Sequence, residues 1–197
     1  MSLDRAAYPF AVPAMLLAVA AGAWNLWASI PFVAFLLFTL WFFRDPERTT
    51  PAAPGILTSP ADGRILKDGP SRISVFMSPL NVHVCRAPAA GRIVSVRHER
   101  GRFLAAFKDE ASEQNERATL RLATDRGEVA FTLVAGLIAR RIVVRVEEGQ
   151  VVSAGERIGL IRFGSRVDLD LPPGAAPAVA IGDRVTAGES VLARFEA

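Results

Sequence analysis

The chain has 197 residues, 51% of them hydrophobic, a formal net charge of +3, two histidines and one cysteine. That is enough for one domain and an appendage, and the lone Cys85 excludes an intramolecular disulfide and any CxxC metal or redox site. The positive excess is arginine scattered along the chain without a dense basic block, which argues against nucleic acid and favours an anionic lipid surface.

No residue from Ala6 to Phe43 is charged. The run is too long for a secretory signal and is succeeded at once by "FFRDPER". A bilayer crossing takes about 20 apolar residues in a helix, so the run holds one long span or two short ones. Asn25 and the step Ser29-Ile30-Pro31 interrupt it, which predicts two helices, roughly Phe10–Trp24 and Ile30–Phe43. Each is short for a full crossing, and together they form a membrane-associated hairpin over residues 1–48. Trp24, Trp27 and Trp41 suit interfacial anchoring, and Arg44 and Arg48 put the rest of the chain on the cytoplasmic face of the cell membrane. The alternative is a buried helical pair of a soluble fold. "RDPERTTPAAPG" then reads as a linker or stiff extended lead-in.

Residues 49–197 form the predicted β-rich domain. "GRILKDG", "SRISVFMS", "NVHVCR", "GRIVSVRH", "ATLRLATD", "EVAFTLVAG" and "RRIVVRVEEG" are short apolar or period-two runs punctuated by glycine. The fold class is mainly β, a sandwich or barrel. Lys108 to Arg117 reads as one helical turn or an ordered loop, its charges solvated. Near the end, Glu148–Gly159 and Ile181–Leu192 repeat G-x-x-V-x-A-G-E-x-[IV] at a spacing of 33 residues. Such paired hairpins resemble lipoyl and biotinyl carrier domains (barrel-sandwich hybrids). Neither repeat has the lysine a swinging arm needs, so the pattern is architectural.

Chemistry has few places to sit. One cysteine and two distant histidines, His83 and His98, do not make a zinc site, and carboxylate-rich metal loops are missing, so no metal is expected. There is no phosphate loop and no G-x-S-x-G elbow. Asp62, in "SPADGRI", reads locally as a turn aspartate. The pair Gly164-Ser165 lies between an apolar run and an alternating one. A serine there can offer its hydroxyl to the preceding carbonyl, and glycine leaves that carbonyl open.

"FFRDPER", "SPADGRI", "FMSPLNVHVCRAPAAGRI", "FKDEASEQNER", "GLIARRIV" and "GERIGLIRFGSRVDLDLP" succeed one another in this order. Together they closely resemble the short form of the phosphatidylserine decarboxylase proenzymes, pyruvoyl-dependent membrane enzymes, over essentially the whole chain. The resemblance implies self-cleavage between Gly164 and Ser165 into a β chain, 1–164, and an α chain, 165–197, that stay together as a heterodimer. Further homo-oligomerisation is left open. It implies a covalent pyruvate cofactor, a pyruvoyl group made from Ser165. This group forms a Schiff base with the amine of phosphatidylserine and accepts electrons as carbon dioxide leaves, giving phosphatidylethanolamine. His83 would return the proton, and Asp62 would orient His83 or help activate Ser165. "FKDEASEQNER" would line a head-group site or a subunit contact. Longer relatives carry a second histidine where this chain has Arg86, so either His83 covers both roles or Arg86 replaces a charge or hydrogen bond. Two other readings stand: the same chemistry on another serine-headed lipid, such as an archaetidylserine-like ether lipid, and a non-catalytic membrane-tethered β-sandwich adaptor.

Overall fold

The computed structural model describes residues 2–107, 110–137, 141–162 and 165–195, in two compact units, Met1–Glu47 and Arg48–Ala197. In the first unit, helices α1 (Tyr8–Trp24) and α2 (Leu26–Phe42) are joined at Asn25. The break falls at Asn25 alone, and α2 runs straight through Ser29-Ile30-Pro31, which corrects the predicted start at Ile30. Asn25 is extended (φ −154°, ψ 123°), and its side chain accepts from the Trp27 amide at 2.9 Å, an N-cap strong enough to start a helix there. Pro31 lacks an amide proton, and just upstream the Ser29 hydroxyl donates to the Leu26 carbonyl at 2.7 Å.

Two short strands, β1 (Ser2–Leu3) and β2 (Arg44–Asp45), pair antiparallel and close the open end of this hairpin. Phe10 stacks on Phe43 there at 5.8 Å. Trp24 and Trp27 stand fully in the open at the tip, 88% and 77% exposed, and Trp41 lies at the base under the Arg44 guanidinium. One helix, Arg5–Trp24 counted with its leading 3-10 turn, is long and apolar enough to cross a membrane.

The second unit is built almost wholly of strands: β3 (Ile56–Thr58), β4 (Gly63–Gly69), β5 (Arg72–Met77), β6 (Val84–Arg86), β7 (Gly91–Glu99), β8 (Arg117–Thr124), β9 (Gly127–Val134), β10 (Ile142–Val144), β11 (Val151–Val152), β12 (Arg157–Ile161), β13 (Ser165–Asp170), β14 (Ala175–Pro177), β15 (Arg184–Val185) and β16 (Val191–Phe195), with one short helix, α3 (Ala111–Gln114). Eight form an antiparallel sheet in the order β11-β7-β8-β9-β13-β5-β4-β15. Two three-stranded sheets, β10-β12-β6 and β14-β16-β3, complete the fold. Alternation decides the faces. Ile73, Val75 and Met77 of β5, Val167 and Leu169 of β13, and Phe131 and Leu133 of β9 enter one core with Cys85, Ile158, Ile161, Leu57 and Leu192 of the smaller sheets. The mainly β class expected from the sequence is what the chain forms.

The repeat has a structural meaning. Its two copies place their first strands, β11 and β15, on opposite edges of the large sheet, and their second strands, β12 and β16, in different small sheets. Gly149 and Gly182 (φ 87° and 93°), and Gly155 and Gly188 (φ 76° and 73°), hold matching left-handed turns that a side chain would strain. A second repeat faces the first: "SPADGRI" (Ser59–Ile65) and "APAAGRI" (Ala87–Ile93). The registers are identical, Arg184 opposite Arg64 with Val185 opposite Gly63, and Val151 opposite Arg92 with Val152 opposite Gly91. The two halves thus share one plan and differ in side chains: Asp62 against Ala90, Arg184 against Val151.

The lead-in after Glu47 is bound rather than slack. Arg48 pairs with Asp62, the Thr49 amide donates to Glu189, and Thr50 presses on the Gly155 turn, where even a Cβ would come within 1.9 Å of its hydroxyl.

Candidate active site

Three loop ends meet at one end of the large sheet because β13, β5 and β4 are neighbours there. Ser165 opens β13 opposite Met77, the last residue of β5. The chain leaving β5 turns through Ser78-Pro79-Leu80-Asn81 to His83. Asp62 immediately precedes β4, where Gly63 lies so close to the Phe76 carbonyl that a Cβ would sit 2.1 Å from it. Gly164 lies outside the described residues.

Ser165 is completely buried. Its Oγ donates to the Met77 thioether at 3.2 Å, the one hydrogen bond it makes among the described residues. Sulfur is a weak acceptor, so the hydroxyl is buried without a strong partner, a condition that native interiors rarely tolerate without reason. Its neighbour Arg166 is anchored from the opposite face. The buried guanidinium donates Nε to Asp168 at 2.6 Å and Nη2 to Ser74 at 2.8 Å. Ser112 of α3 donates to the second Asp168 oxygen at 2.8 Å.

His83 is 1% exposed. Its Nδ1 lies 2.9 Å from the Asn81 carbonyl, which can only accept, so Nδ1 carries the proton and Nε2 is the basic nitrogen of the neutral ring. That carbonyl is fixed by a tight turn. The Ser78 amide and hydroxyl both donate to Asn81 Oδ1 at 2.9 and 2.7 Å, and the Asn81 amide donates back to the Ser78 carbonyl. The His83 carbonyl accepts from the Ile161 amide at 3.2 Å, so the histidine sits beside the end of β12, close in sequence to Gly164.

Asp62 accepts from the Ala187 amide at 2.8 Å and from Arg48 at 2.9 Å. Its charge reaches the β6 strand: burial pushes the Cys85 thiol up to about 12, and the Asp62 carboxylate adds to that shift. Cys85 is therefore a protonated core thiol, not a nucleophile. Arg86 is buried and donates to the Gly155 carbonyl at 2.9 Å, tying β6 to the first repeat's turn. His98, the other histidine, is exposed on β7 and belongs to no part of this site.

The "FKDEASEQNER" segment contains the expected helical turn, α3, and Glu110 and Glu113 are exposed, but it is also docked. Lys108 and Asp109 lie outside the described residues, but Ala111 and Asn115 are buried. Asn115 donates to the Leu104 and Ala135 carbonyls at 2.8 Å each and accepts from the Leu104 amide. Charges outnumber apolar residues here, which is why the sequence reads as solvated; what docks the segment is side chain-to-backbone bonding. A cleft of about 860 Å³ runs along the outer face beside it, and two of its arginines answer its own carboxylates: Arg117 with Glu99, and Arg72 with Asp170. Asn81 and Arg166 are site residues that sequence reasoning misses. For Asn81 the available signal is the S-P-x-N turn two residues before the histidine.

The domain thus holds a buried serine at the start of a central strand, with Asp62 and the turn leading to His83 at the same end of the large sheet. The sequence profile of phosphatidylserine decarboxylase matches residues 35–72 and 67–193. The phosphatidylserine decarboxylase proenzyme of Chlorobium chlorochromatii is 47% identical over 173 residues, 83% of this chain and 82% of the relative. The proenzyme of Azorhizobium caulinodans is 43% identical over 99% of this chain and 90% of its own length. That of Paramagnetospirillum magneticum is 43% identical over 98% and 87%. The chain belongs to the phosphatidylserine decarboxylase family, and it is an enzyme of the carboxy-lyase class.

Proposed function

We propose that the chain is a proenzyme that cuts itself between Gly164 and Ser165 and then decarboxylates phosphatidylserine to phosphatidylethanolamine at the membrane. The observation behind this reading is Ser165 itself: a fully buried hydroxyl at the start of β13, with a thioether as its one partner among the described residues.

Self-cleavage needs four things, and the chain has a candidate for each. Ser165 Oγ attacks the Gly164 carbonyl carbon, moving the acyl group from nitrogen to oxygen. A base must take the hydroxyl proton; His83 Nε2 is the basic nitrogen at this end of the sheet, its ring oriented by the Asn81 carbonyl. Elimination then releases the Gly164 carboxylate, and water replaces the nitrogen left on residue 165, which departs as ammonia. Arg166, buried and paired, keeps the new chain end in the sheet after the backbone is cut. Cross-strand pairing of residues 165–170 with β5 and β9 holds the fragments 1–164 and 165–197 together as a heterodimer.

The pyruvoyl group so formed supplies a carbonyl that accepts the electron pair left behind by carbon dioxide. Ser165 fits this role because it opens β13 and is paired with β5, which keeps residue 165 in place after the cut. His83 holds a proton within the same end of the fold and returns it to carbon. Asp62, anchored by Arg48 and the Ala187 amide, keeps a negative charge beside that histidine's strand. Arg86 serves as a tether between β6 and the Gly155 turn, so His83 covers both proton transfers. The membrane part stems from the substrate, whose acyl chains stay in the bilayer. The hairpin of residues 1–48, uncharged from Ala6 to Phe43, anchors the chain, and Arg44 and Arg48 orient the domain of 49–197 to the cytoplasmic face.

The test is intact mass and denaturing electrophoresis of purified protein, followed by carbon dioxide release from phosphatidylserine with and without hydroxylamine. Two fragments, the smaller without a free amino terminus, and hydroxylamine-sensitive release are expected. Ser165→Ala should give one uncut, inactive polypeptide. A wild-type chain that is fully active with the bond intact sinks the proposal.

A further inference from the structure

One row of side chains crosses the β15 edge of the large sheet on its outer face. Arg184 stands opposite Arg64, Arg64 opposite Phe76, and Phe76 opposite the buried Arg166. Ser165 and Met77 point to the other face, so the row is no part of the reacting site. Arg64 and Arg184 are exposed, and neither makes a hydrogen bond or ion pair among the described residues. Like charges in directly opposed positions destabilise a strand pair, and an anion from outside the chain would relieve this one. The nearby carboxylates are already engaged: Asp62 by Arg48 and the Ala187 amide, and Asp183 by the Ala180 amide. In the other half of the fold the same register is filled differently, with Arg92 facing Val151 and donating to the Gly149 carbonyl at 2.7 Å.

Apolar side chains stand beside these cations. Phe107 meets Phe76 edge-on, ring centroids 6.3 Å apart, and is 60% exposed. Leu80, in the turn after β5, is 68% exposed and lines one cavity with Phe76, Arg64, Arg184 and Asp62. Exposed hydrophobic residues scattered singly are ordinary. Aromatic and leucine side chains grouped with unneutralised guanidinium groups are what a bilayer interface selects, rings at the head-group level and cations against anionic phosphates. The path of the chain supplies the bilayer. Arg48, the first residue of the β unit, is held on Asp62, a wall of this cavity. It comes five residues after Phe43, the last of the uncharged run. A chain covers at most about 3.6 Å per residue, so the backbone of Arg48 is never more than about 18 Å from that of Phe43.

We propose that Arg64, Arg184, Phe76, Phe107 and Leu80 form a second lipid contact, a face on which the β unit rests against an anionic bilayer surface. The inference rests on the reading that the hairpin anchors the chain in a membrane. It adds that the β unit itself touches lipid, and by which face.

The test uses the full chain with one introduced cysteine, Leu80→Cys, Phe107→Cys or, as an exposed edge position of the other half, Val151→Cys, each carrying a maleimide-linked fluorophore. Cys85 is fully buried and does not compete for the label. Vesicles of phosphatidylcholine, with or without phosphatidylglycerol, carry a nitroxide quencher in the head-group region, and sedimentation reports how much chain is bound. With phosphatidylglycerol present, labels at 80 and 107 should be quenched about threefold or more relative to the label at 151, and about 1 M salt should remove most of that difference while the chain stays on the vesicles. Arg64→Gln and Arg184→Gln should each weaken the docking read by quenching about fivefold, and together about 25-fold. Arg64→Lys with Arg184→Lys should keep most of it, which a folding defect would not. Equal quenching at all three positions overturns the face, and so does quenching at 80 that ignores both salt and the arginines. A label response that follows protein concentration in detergent without lipid also overturns it, because the patch is then a contact between copies of the chain. Sedimentation that needs phosphatidylglycerol and is lost with both arginines upholds the face while refuting the hairpin as the anchor. No sedimentation with any vesicle refutes both.

Discussion

Removing the Asp168 carboxylate tests how the new chain end is held. Asp168 and Arg166 are each about 2% exposed, and the carboxylate takes the guanidinium Nε at 2.6 Å and the Ser112 hydroxyl at 2.8 Å. Asp168→Ala leaves a buried guanidinium without its counter-ion, which costs about 3–5 kcal/mol, and Ser112 loses its acceptor for about 1 kcal/mol more. A domain of this size has roughly 5–15 kcal/mol in total, so the variant should lose about a quarter of its stability or more. The measurement is urea unfolding in the Ser165→Ala background, where no cleavage intervenes. Far-UV circular dichroism is the right signal, because Trp24, Trp27 and Trp41 all lie in the helical hairpin and report nothing on the β domain. Replacing the pair by apolar residues of similar size, Arg166→Met with Asp168→Leu, should return stability to within about 1 kcal/mol of the parent. If Asp168→Ala unfolds within about 1 kcal/mol of the parent, the pair does not anchor β13.

Asn81→Ala should slow both self-cleavage and turnover about 10-fold or more by releasing the carbonyl that orients His83, and Asn81→Asp, which keeps the Oδ acceptor, should restore most of it; time courses on gels and carbon dioxide release measure the two. Gly63→Ala should destabilise the domain by about 2 kcal/mol or more, since its Cβ would lie 2.1 Å from the Phe76 carbonyl, and a thermal melt of the Ser165→Ala chain reads the shift. For Cys85 the folded thiol ionises near 12 rather than 9.0, so the unfolded chain gives up that proton first. Stability therefore falls as pH rises above about 9, by about 1.4 kcal/mol per unit until about 12. Unfolding at pH 9 and 10.5 should show about 2 kcal/mol of extra loss in the parent relative to Cys85→Ala, and equal slopes would refute the burial argument.

Much of the molecule was written in short-range pattern. The uncharged run from Ala6 to Phe43 reads as apolar helix because a helix satisfies its own backbone donors and acceptors in an apolar setting; two helices result from a single good cap at Asn25. Alternation of apolar residues in β5, β9 and β13 set which faces are buried, and glycines in the repeat set its turns. Those features depend on residues within a few positions of one another. "RFGSRVD" and "SPLNVHV" pointed to Ser165 and His83 through the family resemblance they carry together. What the sequence did not contain was adjacency. Asp62, the turn that leads to His83, and Ser165 come to one end of the large sheet only because β4, β5 and β13 lie side by side. Pairing partners as distant in sequence as Ile56 and Arg194 are chosen by the whole core, not by any local signal. The same pairing set Arg64 against Arg184, buried Arg166 on the face opposite Ser165, and turned a charged segment, by its hydrogen bonds to distant carbonyls, into part of the wall. Local order was legible along the chain; which residues share a site was decided by the sheet.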